Sequence, residues 1–306
     1  MPREGPSTAE VVELDIGVSP ELATNYVAVD AASASLYLGG NIVGIAALSL
    51  VSPEGLVLYP ALLSGRLSGP PFISTLICPD ELPTGVTDRY VELGIPYRDD
   101  PYVDPATLES DVRLALEVYG LGVAVASRFT YVLVDGPLTP VYRSYSRQGY
   151  WLDELALYFS KRARLIREAA DRGKVVVGVV KRVAVSDHLL NVPEGSKPVA
   201  VGPVVLAGDV EVCSYLLVGR NAGYSHAVAR VEIPCCTAEA LGPRKLGELL
   251  SAIFSSYNHL ALPVPYGIYV ADKVSKGVTR KIVELVELTA KSRGVLAVHP
   301  GEMIYG

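Results

Sequence analysis

Short apolar runs that stop on carboxylates set the pattern of this chain. Residues 26–30, Tyr-Val-Ala-Val-Asp, and residues 129–138, Phe-Thr-Tyr-Val-Leu-Val-Asp-Gly-Pro-Leu, each read as a buried strand closing on an acid, Asp30 in one and Asp135 in the other. Full burial of a lone carboxylate is costly, so an acid ending such a strand is expected to face a solvated cleft, a metal or a cation. Between residues 26 and 58 apolar runs alternate with turn signals at 30–35, at Gly39-Gly40 and at Ser52-Pro53-Glu54-Gly55. This predicts a meander of about three antiparallel strands.

Farther along, residues 59–104 are rich in Pro, Gly and acids and read as an irregular insertion with a short strand at 73–78. Asp104-Pro105 is a helix-start signal, with the helix running to about 126 although Gly120 and Gly122 weaken its end. After the Asp135 strand the pattern predicts an amphipathic helix at 152–172 closed by Gly173, then a valine strand at 174–185, then a loop-rich passage at 186–209. Strands at 210–218 and 227–233, a helix at 243–257 and a last helix at 268–291 complete the order. The expectation is a single domain with its core at about 22–291, an N-terminal arm or short helix at 1–20, and an apolar tail at 294–306.

The 306 residues are 50% hydrophobic and 20% charged, which fits a sheet buried on both faces. The uncharged window 31–53 is long enough to mimic a membrane span, but Gly39-Gly40-Asn41 at its middle reads as a hairpin turn, so no membrane insertion is expected. The N-terminus, with Arg3, Glu4, Glu10 and Glu13, lacks a signal-peptide pattern, and a cytoplasmic location is expected. Cys78, Cys213, Cys235 and Cys236 show no Cys-x-x-Cys spacing and read as buried free thiols. His188, His226, His259 and His299 are scattered, and the phosphate-loop and serine-elbow motifs are absent.

A meander followed by helix, strand, helix and strand predicts an α/β fold: a ribonuclease H-like mixed sheet flanked by helices, with loop-rich insertions. Sugar kinases share a similar core, so fold alone does not assign the chemistry; a kinase reading lacks its glycine-rich phosphate loops here. Carboxylates converging on cations about 3.5 to 4 Å apart would serve two-metal phosphodiester cleavage, and oxygen ligands select Mg²⁺ or Mn²⁺. Asp30 and Asp135 are the first two candidates. A third belongs to the helix after Asp104, where Glu109 and Glu117 compete: stepping about 23 Å down the strand and back up the helix lands near residue 112, between them. Asp272 is a candidate fourth acid, with a surface pair to Lys273 as the plain alternative. Lys181 could hold a scissile phosphate or attacking water, or else snorkel from a sheet edge.

Net charge is −6, which speaks against DNA binding driven by overall charge but permits a local basic track. Arg143, Arg147, Tyr150, Trp151, Lys161 and Arg162 lie in a stretch that interleaves cations with aromatic rings, as a single-strand groove requires. A solvated helix face accounts for the run 161–172 as well.

In order along the chain, Val27-Ala-Val-Asp30 with Ser33, Tyr131-Val-Leu-Val-Asp135-Gly136-Pro-Leu, Val176-Val-Gly-Val-Val-Lys181, Ala229-Arg230-Val-Glu232-Ile-Pro234, and Pro265 to Ala271-Asp272 resemble the NurA nucleases, partners of the HerA hexameric DNA translocase. The resemblance implies a ribonuclease H-like core, Mn²⁺ (or Mg²⁺) dependence, 5′ to 3′ exonuclease and single-strand endonuclease activity, a homodimer, and resection of broken DNA ends with a HerA-type translocase. It matches Asp30 and Asp135 to metal aspartates and favours Glu117, with Glu109 as the alternative. Two departures stand out. The first motif reads Asp30-Ala31-Ala32-Ser33 where the family has Asp-Gly-Ser, and Val264, Pro265 and Asp272 stand where it often has Tyr, Pro and His. These departures motivate a second reading, a family member that binds DNA or the translocase without cutting.

Overall fold

The computed structural model of the chain describes residues 10–14, 24–38, 41–59, 61–63, 66–68, 72–76, 105–139, 150–181, 197–221, 224–255 and 265–299. The fold is α/β and ribonuclease H-like. Its centre is the hairpin of β2 (Tyr26–Leu38) and β3 (Asn41–Val51), extended on the far edge of β3 by β4 (Val57–Tyr59) and β7 (Phe72–Leu76). On the other side β8 (Tyr131–Asp135) runs parallel to β2, and β9 (Val175–Val180) runs parallel to β8. From β9 the sheet continues antiparallel through β12 (Tyr224–Pro234), β11 (Val212–Asn221), β10 (Val199–Leu206) and β1 (Glu10–Glu13). With β13 (Ala297–Val298) beside the end of β2, the sheet has 11 strands among the described residues, and β5 (Ala61–Leu63) and β6 (Arg66–Ser68) form a separate ribbon.

Alternation along the central strands assigns the helices to two faces. Val27, Val29, Val132 and Val134 point to α1 (Pro105–Ala126) and α2 (Tyr150–Asp171). Tyr26, Ala28 and Leu133 point to α3 (Cys235–Ser255) and α4 (Tyr266–Ser292). Gly120 does not loosen α1: a Cβ there would lie 2.4 Å from Leu48 Cδ1, so the glycine lets the helix approach the hairpin closely.

Several expectations are corrected. The N-terminal segment is not wholly an arm or helix, because Glu10–Glu13 pairs with β10. Part of the expected loop at 186–209 is the strand β10, whose Gly202-Pro203 sits at the register shift between Val201 and Val204, where a proline is tolerated. The helix expected from 243 begins at Cys235 and kinks at Gly242, which has φ 71°. Within the tail, Ala297 and Val298 pair with Leu38 and Tyr37; residues 300–306 lie outside the described residues. Cys213 and Cys235 are not free thiols but a disulfide joining the start of β11 to the start of α3, and Cys236 is free and exposed. The window 31–53 is the β2–β3 hairpin, and no helix among the described residues is long and apolar enough to cross a membrane.

Candidate functional site

The parallel strands β8 and β9 end at one edge, the usual ligand side of such a sheet, while β2 does not turn at 30–35 as expected but runs on past Asp30 to Leu38, paired with β3 throughout. The ladder between β2 and β8 stops at Val29 and Val134, so Asp30 is the first residue of β2 beyond it. Asp135 closes β8 opposite Val179, and Lys181 follows β9 directly. On the α3/α4 face of the sheet, α4 lays a stripe of small residues along the hairpin. Ser49 Oγ donates to the carbonyl of Ala271, Thr279 Oγ1 donates to the carbonyl of Ala32, and Ser275 Oγ donates to Asp30 Oδ2 at 2.6 Å. That packing brings Asp272 to the strand ends.

Asp30, Asp135 and Asp272 each place one carboxylate oxygen within 4.8 Å of the other two. Lys181 Nζ stands 2.5 Å from Asp135 Oδ2 and 3.3 Å from Asp272 Oδ1, and Lys276 Nζ is 2.7 Å from Asp272 Oδ1. Burial, and then the charge of Asp135, push Asp30 well above the usual carboxylate range despite the Ser275 hydrogen bond. Burial also raises Asp135 against the pull of Lys181, and a hydrogen bond links its side chain to Asp30. For Asp272 burial acts upward, but the hydrogen bond from Lys276 and the two lysine charges outweigh it, and its pKa is lowered. Burial alone would lower Lys181, yet Asp135, Asp272 and Asp30 raise it.

The donor set fits a hard divalent cation. It consists of carboxylate oxygens, two of which, on Asp30 and Asp135, resist ionisation, and an ammonium already lies between two of the three as a cation would.

The choice between the two glutamates of α1 is a matter of level. Glu109 accepts a hydrogen bond from Ser35 Oγ at 2.6 Å, farther along β2 than Asp30. Glu117 lies close enough for its charge to raise Asp30 and for that of Asp135 to raise Glu117 in turn, though it is outside the close carboxylate trio. Its own pKa is raised by burial against the charges of Arg162 and Arg113. The strand is shorter than the run 129–135 that puts the level near 112. With β8 starting at Tyr131, four steps of about 3.3 Å descend about 13 Å, and nine residues back from Ala126 at about 1.5 Å regain that height at Glu117.

Arg162 is corrected as a surface nucleic-acid contact. It is 3% exposed, and its guanidinium donates to Leu138 O, Pro137 O and Glu117 Oε2 at 3.0, 2.8 and 3.1 Å. Lys161 is exposed on the same helix, Tyr150 and Trp151 begin it, and Arg143 and Arg147 lie outside the described residues. Sequence reasoning gave no role to Glu232, which is fully buried; it accepts from Leu138 N at 2.7 Å and pairs with Arg230 at 2.9 Å. Period-two spacing of Arg230 and Glu232 inside an apolar strand was the signal available. A cavity of 720 Å³ lies between α2 and the β10–β11 turn, lined in part by Arg162, Arg230 and Glu232 and not by the three aspartates.

No protein-family model matches the sequence, and no curated protein matches it. Among solved structures, the NurA nuclease from Sulfolobus solfataricus aligns over 92% of this chain and 88% of its own, with a TM-score of 0.53 and 14% identity. The chain has the fold of NurA. Endonuclease V from Streptomyces avermitilis and from Bacillus subtilis align at 16% and 14% identity with TM-scores of 0.36, covering 89% of this chain each and 88% and 87% of their own. They are too distant to bear on this site. The NurA likeness agrees, at the level of fold, with the order of motifs in the sequence.

Proposed function

We propose that the chain is a metal-dependent DNA nuclease of the NurA type, a phosphodiester hydrolase acting in the resection of DNA ends. The observation that carries this reading is the meeting of three carboxylates from β2, β8 and α4 at the end of a parallel ladder. Asp30, Asp135 and Asp272 would hold the cation, Mn²⁺ or Mg²⁺, with Glu117 beside them. When bound, such a cation polarises a phosphoryl oxygen and lowers the pKa of water. Lys181, already paired to two of the aspartates, presents its ammonium at the same edge to a phosphate oxygen or the attacking water. Ser275 orients the Asp30 carboxylate from α4.

The finer reading follows the sequence resemblance: 5′ to 3′ exonuclease and single-strand endonuclease activity, a homodimer, a HerA-type hexameric translocase as partner, and a cytoplasmic single-domain protein. Lys161, with Arg143, Arg147, Tyr150 and Trp151, would contact the strand. The test is release of label from end-labelled single- and double-stranded DNA with Mn²⁺, comparing wild type with Asp135→Ala. Cleavage that survives the substitution would overturn the assignment. Wild-type protein that binds DNA but neither binds Mn²⁺ nor cuts would favour the non-cutting reading, which the Lys181 ion pairs and Asp272 motivate.

A further inference from the structure

Directly after Asp135 the chain turns through Gly136, with φ 116°, into Pro137 and Leu138. Two buried side chains of opposite charge grip this turn from different elements. From α2, Arg162 takes the carbonyls of Pro137 and Leu138 with two of its nitrogens and Glu117 with a third. From β12, Glu232 takes the Leu138 amide at 2.7 Å and also accepts from the Thr139 amide, while Arg230 neutralises its other oxygen. From below, β9 leaves no slack: a Cβ on Gly178 would lie 2.8 Å from Gly136 O and 3.0 Å from Leu138 Cγ.

Burying an arginine and a glutamate away from each other is unfavourable unless each is fully paired. Here both are paired chiefly to one four-residue turn. The arrangement does nothing for the sheet ladder, which ends at Asp135.

We propose that Arg162 and Glu232 are positioning residues that clamp the 136–139 turn, and that Arg162 thereby fixes Glu117 relative to Asp135 for cation binding. The proposal rests on the reading of Asp30, Asp135 and Asp272, with Glu117 beside them, as the cation-holding group. Only the planar fork of arginine spans two carbonyls and a carboxylate at once, so lysine is not equivalent here. Supporting partners of this kind shift metal affinity by about 10- to 100-fold when removed.

The test uses the full chain, with Mn²⁺ binding measured by calorimetry and amide exchange of the turn measured by mass spectrometry. Arg162→Lys should weaken Mn²⁺ binding about 10- to 100-fold and raise exchange over 136–139. Glu232→Ala should raise exchange at Leu138 and Thr139 and weaken Mn²⁺ binding, whereas Glu232→Gln, which keeps an acceptor oxygen, should restore much of both. Ile166→Val, a core change on the same helix, supplies the control for general destabilisation and should leave Mn²⁺ affinity unchanged. Arg162→Lys and Glu232→Ala binding Mn²⁺ within about twofold of wild type would overturn the proposal. If Arg162→Lys does not fold, Glu232→Ala decides alone by the same criterion. If the wild type binds no divalent cation, the nuclease reading fails instead, and the clamp is then judged by exchange. Unchanged protection in both variants would sink it.

Discussion

Replacing Asp30 by asparagine should stabilise the protein without metal and destabilise it relative to wild type with metal. In the wild type, Asp30 has carboxylate oxygens of Asp135 and Asp272 within 4.8 Å. Two unit charges at that distance repel by about 3.5 kcal/mol at an effective dielectric of about 20. Part of this is relieved, because the ammonium of Lys181 sits against Asp135 and also pairs with Asp272. A net gain of about 1–2 kcal/mol is therefore expected for Asp30→Asn in a chelator at pH 8, or roughly 2–4 °C in Tm for a chain of this size. Asparagine keeps an oxygen for the Ser275 hydroxyl, so the change isolates charge from packing. With Mn²⁺ at about 100 times its Kd, the wild type gains about 2.7 kcal/mol by mass action and the variant gains little, so the order of stabilities inverts. The assay is thermal unfolding of both proteins in EDTA and in a Mn²⁺ series. Parallel Mn²⁺ shifts in the two proteins, or a variant less stable than wild type in EDTA, would refute the reasoning.

Asp30 and Asp135 hold protons more tightly folded than unfolded, so across the pH range from the ordinary carboxylate value up to their raised values the folded state binds the excess protons. Stability of the chelated wild type should therefore fall as pH rises through that window, more steeply than that of the Asp30→Asn, Asp135→Asn double variant; equal slopes in a Tm against pH series would count against it. Glu117→Gln should cut Mn²⁺ affinity by about 10- to 100-fold while Glu109→Gln leaves it unchanged, and calorimetry showing the reverse would move the helix ligand to the level of Ser35. Gly120→Ala should destabilise by about 1–3 kcal/mol in urea unfolding, because the new methyl meets Leu48 at 2.4 Å, with Mn²⁺ binding intact; a neutral change would mean that Leu48 yields freely.

The elements that position the site were legible because each carries its own signal. β2 and β8 announce themselves as apolar runs ending in acids, α1 by its starting proline, and α4 by its sustained period. The edge strands were not. β1 is four exposed residues, Glu10–Glu13, whose pairing is decided by a partner nearly two hundred residues away. β10 contains a Gly-Pro step that breaks strand propensity and survives only because the ladder shifts register there. The Cys213–Cys235 bond was equally hidden, since a Cα separation of 4.9 Å depends on how β11 meets α3 and not on spacing in the chain.

At the site, the residues legible from sequence are those whose chemistry exceeds what their local element needs. An aspartate that closes a run of buried apolar residues has no structural reason to be there, so Asp30 and Asp135 stand out, although only Asp135 ends its strand and β2 continues past Asp30 to Leu38. Asp272, a candidate fourth acid in the sequence with a surface pair to Lys273 as the plain alternative, is separated from its charged neighbours only when α4 packs its Ser275–Thr279 stripe onto β2. Arg162 shows the opposite failure. Within the helical run 161–172 it reads as one more solvated cation, and only the closeness of the 136–139 turn turns it inward. A charge pattern reports how many cations a helix has; which of them is buried depends on the carbonyls that a neighbouring turn leaves unsatisfied, and those are set by tertiary packing. The same argument makes Glu232 legible in hindsight. A carboxylate two residues from an arginine, inside an apolar strand of a chain with a parallel ladder beside it, has to be answering backbone amides or a cation. Here it answers both, so Glu232 marks a constrained backbone segment, whereas Asp30, buried beside two other carboxylates, is the one placed to take a cation.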